Sequence, residues 1–481
     1  MTAPALQRFS VNFWTLTVSK VLYRLVSIGV AMYLARALGA AVLGEYATVM
    51  NVLTLYLAFG DLGVTNLVIR DVSQDRSRAA SYLDNFFVLQ LLVGLLLIAL
   101  IMLTGVAAGY ESIIIAALAI GSFGPFFSGL SNAYEALMNA HELFYPFAII
   151  EMICMLVFLV GNVTVVLMGE GLLALVGVTA LVAVVRWSVG SVWAGRFSMR
   201  VQWRFRWSAV RTLLAAGVPF LLINGTHFAI QRMDVLFLSW TVSDERVGVY
   251  AAASRLVFAS LFLLASIGAL LYPIFSRLLV EDRERARSLY ARGSLYLLLL
   301  ALVIAQLFYT LAPVITTLLY GEAFAESAVV LQLLALFLPL FGIGLLASNV
   351  LMVSRAVWYA VGASAAGLLT GIALALPAIG MWEIQGAAAA VLTAETLAAI
   401  LFVFFAAHRL EMHLPTRRIL GGIAAVALPP LLLQVAGLSA GLLLGTVSMP
   451  LSLLLIFGLR VLTTQDVTEI RLLLLSRRRT S

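Results

Sequence analysis

Long apolar stretches recur along the whole chain and are separated by short segments that hold most of the charged residues. An α-helix needs about 20 consecutive apolar residues to cross the hydrocarbon core of a bilayer. The stretches are continuously apolar and do not alternate residue by residue, which favours membrane-spanning helices over barrel strands. We predict fourteen spans, at residues 11–37, 45–69, 82–108, 112–139, 145–168, 171–195, 211–240, 248–276, 288–318, 326–353, 356–380, 384–407, 418–437 and 440–463.

The composition agrees with this pattern. Hydrophobic residues make up 63% of the 481 residues and charged residues 11%, and a soluble protein of this length could not bury so much apolar surface. The N-terminus lacks the short apolar core and small-residue cleavage site of a signal peptide, so we expect the first span to be retained. The single cysteine, Cys154, excludes an internal disulfide. The sequence therefore predicts an all-α integral membrane protein with about fourteen transmembrane helices.

Arginine residues are distributed unevenly between the two sides of this predicted topology. If the N-terminus is cytoplasmic, nearly all loop arginines and the basic tail fall on the cytoplasmic side, and only Arg36 and Arg246 fall opposite. The positive-inside rule requires such asymmetry. It predicts a multi-pass protein of the cytoplasmic (inner) membrane with both termini in the cytoplasm, and it explains much of the net charge of +7.

Two pairs of segments indicate an internal repeat. "LGAAVLGEYATVMNVL" matches "VSDERVGVYAAASRLV", with Gly44 aligned on Gly248. "YEALMNAHELFYPF" matches "SNVLMVSRAVWYAV", with Leu137 aligned on Leu351. Both alignments map each span onto the sixth span after it, so the two copies enter the membrane from the same side. We predict two six-helix lobes related by a parallel pseudo-two-fold axis, followed by two C-terminal helices.

The predicted organisation has five parts. They are an N-terminal lobe at 1–195, an amphipathic cytoplasmic linker at 196–211, a C-terminal lobe at 212–408, spans thirteen and fourteen at 409–464, and a basic cytoplasmic tail at 465–481. The linker mixes arginines with Trp203, Phe205 and Trp207, as in segments that lie on a membrane surface. Transporters built from such repeats place the substrate site between their halves.

Three prolines lie inside predicted spans: Pro125 in span four, Pro219 in span seven and Pro339 in span ten. Proline removes a backbone donor and kinks a helix. We therefore expect bends at these three places, where rocking helices would flex.

Two cations lie inside the first span. Lys20, the only lysine, and Arg24 are four residues apart and so share one helical face. An ionisable residue at the bilayer centre costs about 2.5–3.5 kcal/mol on insertion scales, and its usual explanation is functional. For Lys20, extension to the cytoplasmic headgroups is an equally good explanation. Arg24 lies deeper, and we expect it to face the protein interior.

Polar stripes run along four other spans. They comprise Asn51, Thr54, Ala58, Asp61 and Thr65 in span two; Ser128, Asn132, Glu135 and Asn139 in span four; Asn224, His227, Gln231 and Asp234, with Arg232 beside them, in span seven; and Arg255 in span eight. Facing stripes would line a water-filled cavity, whereas single Asn or Ser residues more often hydrogen-bond between helices. The charged members favour the cavity. Glu151, Arg186 and Glu395 are further buried candidates without a pattern.

The chain lacks several catalytic signatures. It has no Walker A motif, no Cys/His metal spacing and no acidic pair on a substantial extracytoplasmic loop. We therefore predict no enzymatic activity, no cofactor and no metal.

Short motifs in both halves of the chain resemble those of a known family. "LARALGAAVLGEYATVMNV" followed by "DLGVTNLVIRDVS" resembles the opening of the oligosaccharide-lipid flippases, or polysaccharide transporters, of the multidrug/oligosaccharidyl-lipid/polysaccharide exporter superfamily. "AAGVPF", "RMDVLFL" and "VGVYAAASRL" are similar to the start of that family's second lobe. The resemblance covers nearly the whole chain. Its motifs are short and mostly structural, so they indicate the family better than the substrate.

The resemblance implies a function. It implies alternating access that carries a polyprenyl-diphosphate-linked oligosaccharide, such as an O-antigen-type repeat unit, from the cytoplasmic to the outer leaflet. It implies membrane lipids and the polysaccharide polymerase machinery as partners, and no nucleic acid. In the family, cavity cations meet the diphosphate. The positions here that match are Lys20, Arg24, Arg232 and Arg255, and the remaining cavity or coupling positions are Asp61, Asp234, His227, Gln231, Asn51 and Glu135.

Three alternatives stay open. A cation-coupled exporter of organic cations from the same superfamily would rely on Asp61 and Asp234. A lipid II flippase would carry a denser run of cavity arginines than this chain has. A non-transporting scaffold for glycan polymerisation would not need buried charges. The excess of basic over acidic residues among the cavity candidates favours an anionic cargo.

The first test of this hypothesis neutralises two of the four predicted diphosphate-binding cations, which we call the clamp (Lys20, Arg24, Arg232 and Arg255). The double variant Arg24→Gln/Arg232→Gln removes one cation from each half, because a diphosphate in a low-dielectric cavity needs fixed cations. We expect it to reach the membrane in normal amounts and to lose transport of lipid-linked glycan. Normal transport by the double variant would contradict the clamp.

Overall fold

The computed structural model describes residues 3–60, 62–65, 68–69, 72, 75–76, 79–141, 143–197, 199, 201–203, 205–354, 356–438, 441–459 and 461–462. Within these ranges the ordered elements are helices and none is a β-strand, which confirms the all-α prediction. The chain divides into two compact units, Met1–Gly248 and Val249–Ser481. The two compact units are defined by packing, whereas the predicted lobes are defined by the sequence repeat. The lobe boundaries therefore stay a prediction.

Among the described residues, the helices of the first unit whose bounds are defined are eight, together with the start of a ninth. They are α1 (Ala3–Gly60), α2 (Ala79–Ala107), α3 (Ser112–Gly121), α4 (Phe123–Ala140), α5 (Phe144–Leu167), α6 (Leu172–Arg196), α7 (Trp207–Ile230), α8 (Met233–Thr241) and the first residues of α9 (Asp244–Glu281). Inside α1 the backbone of Gly39 is not helical, with φ 80° and ψ 178°. This interruption separates the first two predicted spans.

The described part of the second unit continues α9 and adds six α-helices and one short 3-10 helix. They are α10 (Arg283–Tyr320), the 3-10 helix Glu322–Phe324, α11 (Ser327–Ala335), α12 (Phe337–Val353), α13 (Val357–Leu410), α14 (Thr416–Val435) and α15 (Leu442–Gly458). Inside α13 the backbone leaves the helical region at Trp382 and Glu383. These two residues lie between predicted spans eleven and twelve.

The helices identify a multi-pass membrane protein. Ten helical stretches among the described residues are long and apolar enough to cross a bilayer, and Leu442–Gly458 is a shorter apolar helix. Two of the ten stretches, in α1 and α13, each include residues of two predicted spans, and non-helical residues lie between those spans. The total of fourteen spans, the lobe symmetry and the basic tail at 465–481, which lies outside the described residues, stay predictions.

Spans four and ten each contain one irregular position, where the helical hydrogen-bond pattern is interrupted while the backbone stays near helical: Ser122 (φ −60°, ψ −23°) and Leu336 (φ −65°, ψ −19°). Ser122 separates α3 from α4, and Leu336 separates α11 from α12. Pro125 and Pro339 lie three residues after these breaks, and proline cannot donate to the carbonyl four residues earlier. The separation of the two prolines equals that of the Leu-Met pairs that define the repeat. This is the pattern expected of a duplicated unit.

The start of α9 crosses α1 at two glycines. A Cβ atom added to Gly44 would lie 1.7 Å from the carbonyl oxygen of Asp244 and 2.9 Å from the nitrogen of Gly248. A Cβ atom added to Gly248 would lie 1.9 Å from the carbonyl oxygen of Ala40 and 3.0 Å from the nitrogen of Gly44. Each glycine meets the carbonyl four residues before its partner, so the crossing is symmetric. Small residues permit such close backbone approach in membranes.

A second glycine contact joins α7 to the turn after α1. A Cβ atom on Gly217 would lie 2.2 Å from the carbonyl oxygen of Leu62, whose φ is 49°. The next residue, Gly63, has φ 71°, and two consecutive positive φ values end the helix. Because α1 ends at Gly60 and not at the predicted residue 69, Thr65 does not continue the stripe of span two.

The linker between α6 and α7 is ordered without being a helix. The backbone N–H groups of Gln202 and Arg206 donate to Oδ1 of Asp84 (2.6 Å) and Oδ1 of Asn85 (2.8 Å), both on α2. Two buried polar side chains therefore hold the linker against the start of α2. Its aromatic residues Trp203, Phe205 and Trp207 are exposed, as expected of a membrane-surface segment.

The Gly44 crossing makes a direct prediction. Gly44→Ala places a methyl group against the backbone of α9, and backbone cannot rotate away, so we expect a loss of at least about 1–3 kcal/mol of stability. The matched control is Gly29→Ala in the same helix, where an added Cβ meets nothing within 4 Å. Thermal unfolding in detergent measures both. Equal midpoints for the two variants would contradict the close crossing.

Candidate functional site

A cluster of three charged side chains lies inside the first unit. Arg186 on α6 donates through Nε to Oε1 of Glu135 on α4 (2.6 Å) and through Nη2 to Oε2 of the same carboxylate (3.1 Å). The same Nη2 also donates to Oε1 of Glu151 on α5 (3.0 Å). Only 27%, 15% and 9% of the Arg186, Glu135 and Glu151 side chains are exposed. One guanidinium therefore bridges three helices.

The cluster carries a net negative charge. A bidentate guanidinium–carboxylate pair is a strong interaction, but one arginine compensates only one of the two carboxylates. Tyr23 on α1 and Cys154 on α5 are close enough to interact electrostatically with the cluster. Glu135 belongs to the polar stripe predicted on span four, and the structure supplies the two partners that no spacing in the sequence connected to it.

The stripes of spans two and seven meet at one hydrogen bond. Arg232 donates through Nη1 to Oδ1 of Asn51 (3.2 Å), and the Asn51 amide nitrogen donates to the carbonyl of Ala47 (2.8 Å). The bond to Ala47 fixes the Asn51 amide so that its oxygen faces the guanidinium. Arg232 occupies the position before the first residue of α8, with φ −129° and ψ −16°, and its side chain makes no capping hydrogen bond there.

Span seven is not the continuous helix that its stripe assumed. The helix is interrupted at Gln231 and Arg232, so Gln231 and Asp234 are not successive positions on one helical face. The helix runs through Pro219, where the bend was expected, and breaks later. Asp234 lies in the first turn of α8, is 2% exposed, and accepts a hydrogen bond from the backbone of Val235 (2.7 Å). A carboxylate at this end stabilises a helix.

Arg255 occupies a different environment in the second unit. It is partly buried on α9 and close enough to Tyr320, the last residue of α10, to interact with its phenol. Tyr320 is 2% exposed, and its hydroxyl has no hydrogen-bond partner among the residues that the structure describes. No described acidic residue forms an ion pair with Arg255. A cation with no described acidic partner, close enough to an unsatisfied hydroxyl to interact with it electrostatically, is suited to an anion.

Glu395 is a third kind of site. It is 6% exposed on α13, and its Oε1 has no hydrogen-bond partner in the described part of the chain. The helices α11 and α12, which both pack on α13, contain no ionisable residue. The sequence placed Glu395 inside a span but gave no partner for it.

Several predicted site residues cannot be placed. Asp61 lies outside the described residues, and so do the side chains of Lys20, Arg24, Asn224 and His227, which are on helices. Their roles stay predictions. Asn51, Glu135, Gln231, Arg232, Asp234 and Arg255 are described.

Together, the fold and the buried charges define a multi-pass membrane protein with a transporter fold, and solved structures of that fold match nearly the whole chain. The lipid II flippase MurJ in an inward closed conformation matches with a TM-score of 0.73 and 13% identity, over 94% of this chain and 99% of that one. An inward-facing multidrug resistance MATE family transporter of the MOP superfamily matches with a TM-score of 0.67 and 16% identity, over 81% and 94%.

A further match has a different binding pocket by its own description. A MOP superfamily transporter from Pyrococcus furiosus, described as having reverse polarity of its binding pocket, matches with a TM-score of 0.59 and 15% identity, over 85% of this chain and 96% of that one. At such identities these likenesses show the fold alone. No curated protein sequence matches the chain.

The family model for polysaccharide biosynthesis proteins matches residues 33–329, which is more than half of the chain. The chain belongs to this family. The match includes α4, α5 and α6 with the charged cluster, and it includes Arg232, Arg255 and Tyr320.

Breaking the cluster should destabilise the protein. Arg186→Met leaves Glu135 and Glu151 buried without their cation, so we expect a loss of about 3–5 kcal/mol, read as a lower unfolding midpoint in detergent. The triple variant Arg186→Met/Glu135→Gln/Glu151→Gln removes all three charges and should recover most of the loss. A triple variant no more stable than the single variant would contradict the electrostatic explanation.

Proposed function

We propose that this protein is a flippase that moves a polyprenyl-diphosphate-linked oligosaccharide from the cytoplasmic to the outer leaflet by alternating access. Membership of the polysaccharide biosynthesis family supports a role in glycan export. The fold shared with MurJ and the MATE transporters supports a transporter and not an enzyme. The cargo is a repeat unit of a polysaccharide, of O-antigen type.

The observation that carries this proposal is the environment of Arg255. A guanidinium on a membrane-spanning helix normally finds an acidic partner, because a lone cation is costly there. Arg255 instead has no acidic partner among the described residues, and it interacts electrostatically with Tyr320, whose buried hydroxyl has no hydrogen-bond partner in the described part of the chain. Both side chains can donate hydrogen bonds to the oxygens of a diphosphate.

The other candidates take the roles that their chemistry allows. Arg232 would bind a phosphate oxygen together with Lys20 and Arg24, and Asn51 would keep its guanidinium oriented. Gln231 and similar amides would hydrogen-bond the glycan, and the polyprenyl chain would stay in the bilayer. Asp234 already accepts a hydrogen bond at the start of α8, which makes it less suited to bind an organic cation.

Coupling would use the charged cluster. One guanidinium is shared by two carboxylates, so the cluster has one counterion too few. A coupling cation could bind at Glu135 and Glu151 and release Arg186 from one of them. The same net negative charge favours the alternative function, a cation-coupled exporter of organic cations. The two functions differ in the sign of the cargo's charge, and the Arg255 environment supports a negative cargo.

The proposed setting follows from the arginine distribution. We propose the cytoplasmic (inner) membrane, with both termini in the cytoplasm, and the polysaccharide polymerase machinery as the recipient of the cargo. The two predicted lobes, with the 196–211 linker between them, would be the parts that rock against each other.

The Tyr320 hydroxyl gives the sharpest test. Tyr320→Phe removes a buried, unsatisfied hydroxyl, so we expect a higher unfolding midpoint together with transport reduced about tenfold. Arg255→Gln should abolish transport, and Arg255→Lys should retain a small part of it because lysine lacks the bidentate geometry. Transport is measured as glycosidase- or periodate-accessible lipid-linked glycan on the outer face of cells.

A control separates loss of charge from loss of this site. Arg285→Gln removes an arginine whose side chain is 80% exposed and already paired with Asp282 at 3.1 Å, so transport should be normal. Full transport by Arg255→Gln, or equal losses in Arg255→Gln and Arg285→Gln, would overturn the proposed diphosphate site.

A further inference from the structure

Each unit contains a pocket at one end of its helices. In the first unit a pocket of about 410 Å³ is lined by residues that include Arg76, Leu83, His141, Phe197 and Gln202. They come from the segment between α1 and α2, from α2 itself, from the end of α4 and from the linker after α6. We call this the first pocket.

The second unit contains a pocket of about 560 Å³. It is lined by residues that include Ser276, Arg283, Ser354, Tyr359 and Arg409. They come from the junction of α9 and α10, from the segment between α12 and α13, and from the end of α13. We call this the second pocket.

The two pockets are built from matching parts of the repeat. The first uses the connections after predicted spans two and four and the end of span six, and the second uses those after spans eight and ten and the end of span twelve. Leu137 lines the first pocket. Its partner in the repeat, Leu351, lies two residues before Val353, which lines the second pocket together with Ser354. A feature that recurs in both copies of a duplicated unit is unlike a chance surface depression. The arginine distribution assigns all these connections to the cytoplasmic side.

Both pockets hold cations that have no acidic partner among the residues the structure describes. No described acidic residue forms an ion pair with Arg76, Arg283 or Arg409. The guanidinium of Arg409 lies over the Tyr359 ring, 4.6 Å from its centroid, which orients it without neutralising it. In the first pocket Nδ1 of His141 is 2.9 Å from the carbonyl of Leu137, so Nδ1 is the donor there and Nε2 is left for a ligand.

Exposed apolar side chains occur in the second pocket and next in the chain to a residue of the first. Trp203, the neighbour of the pocket residue Gln202, is 63% exposed, and Val280, which lines the second pocket, is 88% exposed. Gln202 is held in place by the bond from its backbone N–H to Asp84. Tryptophan beside basic residues is typical of the headgroup level of a membrane. A soluble anion would gain nothing from these apolar neighbours, whereas an amphiphile would.

We propose that each pocket binds the phosphate headgroup of an anionic phospholipid of the cytoplasmic leaflet, giving two equivalent lipid sites per chain. The arginines bind the phosphate, the serine, glutamine and histidine groups bind the remaining headgroup oxygens, and the acyl chains lie against the exposed apolar side chains. Both volumes fall in the range of about 300–1,000 Å³ that is usual for ligand pockets. The sites are separate from the proposed diphosphate site, so their test does not depend on transport.

The experiment counts bound lipids by native mass spectrometry of the full-length protein released from detergent. Phosphatidylglycerol is titrated against phosphatidylcholine of the same chains. We expect two tightly bound phosphatidylglycerol molecules in the wild type. Arg76→Gln/His141→Gln should retain one, Arg283→Gln/Arg409→Gln should retain the other, and combining the four substitutions should remove both. Each loss of a lipid corresponds to a dissociation constant at least about ten times larger.

Two controls complete the design. Arg285→Gln, which removes a paired arginine outside the second pocket, should keep two lipids. Glycerol 3-phosphate added in millimolar excess tests for a soluble ligand and should displace neither lipid. The unfolding midpoint of each variant shows whether it is folded. If a double variant does not fold, the single variant Arg76→Gln or Arg283→Gln replaces it. Equal lipid counts in wild type and pocket variants, equal binding of phosphatidylcholine, or displacement by glycerol 3-phosphate would overturn the proposal.

Discussion

The close crossing of α1 and α9 at Gly44 and Gly248 is the constraint on which the arrangement of the first unit depends. Within a bilayer, apolar side chains gain little by leaving lipid for protein, so helices associate through close packing. Here the approach is so close that a single methyl group on either glycine would overlap a carbonyl oxygen of the other helix. A second contact, Gly217 against Leu62, joins α7 to the turn that ends α1. Three glycines of the motifs that carry the family resemblance, Gly44, Gly217 and Gly248, are therefore places where backbones touch.

Buried charges in the described part of the chain have different surroundings. Arg186 pairs with two carboxylates, Asp234 accepts a hydrogen bond at the start of a helix, and Arg255 has no described acidic partner but interacts with Tyr320. The Arg186 guanidinium and the Asp234 carboxylate have hydrogen-bond partners within the protein. The Tyr320 hydroxyl has none among the described residues, which is a cost that a protein retains where a ligand supplies the missing acceptor. This difference distinguishes a structural cation from a binding cation more clearly than burial does.

The sequence predicts the features of this fold that arise from local chemistry. Gly39 and the pair Trp382 and Glu383 interrupt helices between predicted spans, and Pro125 and Pro339 follow matching breaks. These effects act within a few residues of their cause, so a single stretch of sequence reveals them.

Features that depend on distant residues could not be predicted in the same way. The partners of Arg186 lie on two other helices, and no spacing along the chain connects them to it. The break at Gln231 and Arg232 has no proline beside it, and the proline that does occur in that span, Pro219, lies within an unbroken helix. Arg255 could be recognised as a cation inside a span, but its hydroxyl neighbour comes from a helix end more than sixty residues later. Packing between helices decides all three.

The most direct test of the central claim is a reconstituted flipping assay with the purified protein in vesicles. The probe is a fluorescent disaccharide on a short polyprenyl diphosphate, and the same disaccharide on a polyprenyl monophosphate is the control. Loss of fluorescence to an impermeant reducing agent reports how much probe has reached the outer leaflet. The account predicts that wild-type protein moves the diphosphate probe much faster than the monophosphate, and that Arg255→Gln moves neither. Equal rates for the two probes, or no movement of the diphosphate above protein-free vesicles, would contradict it.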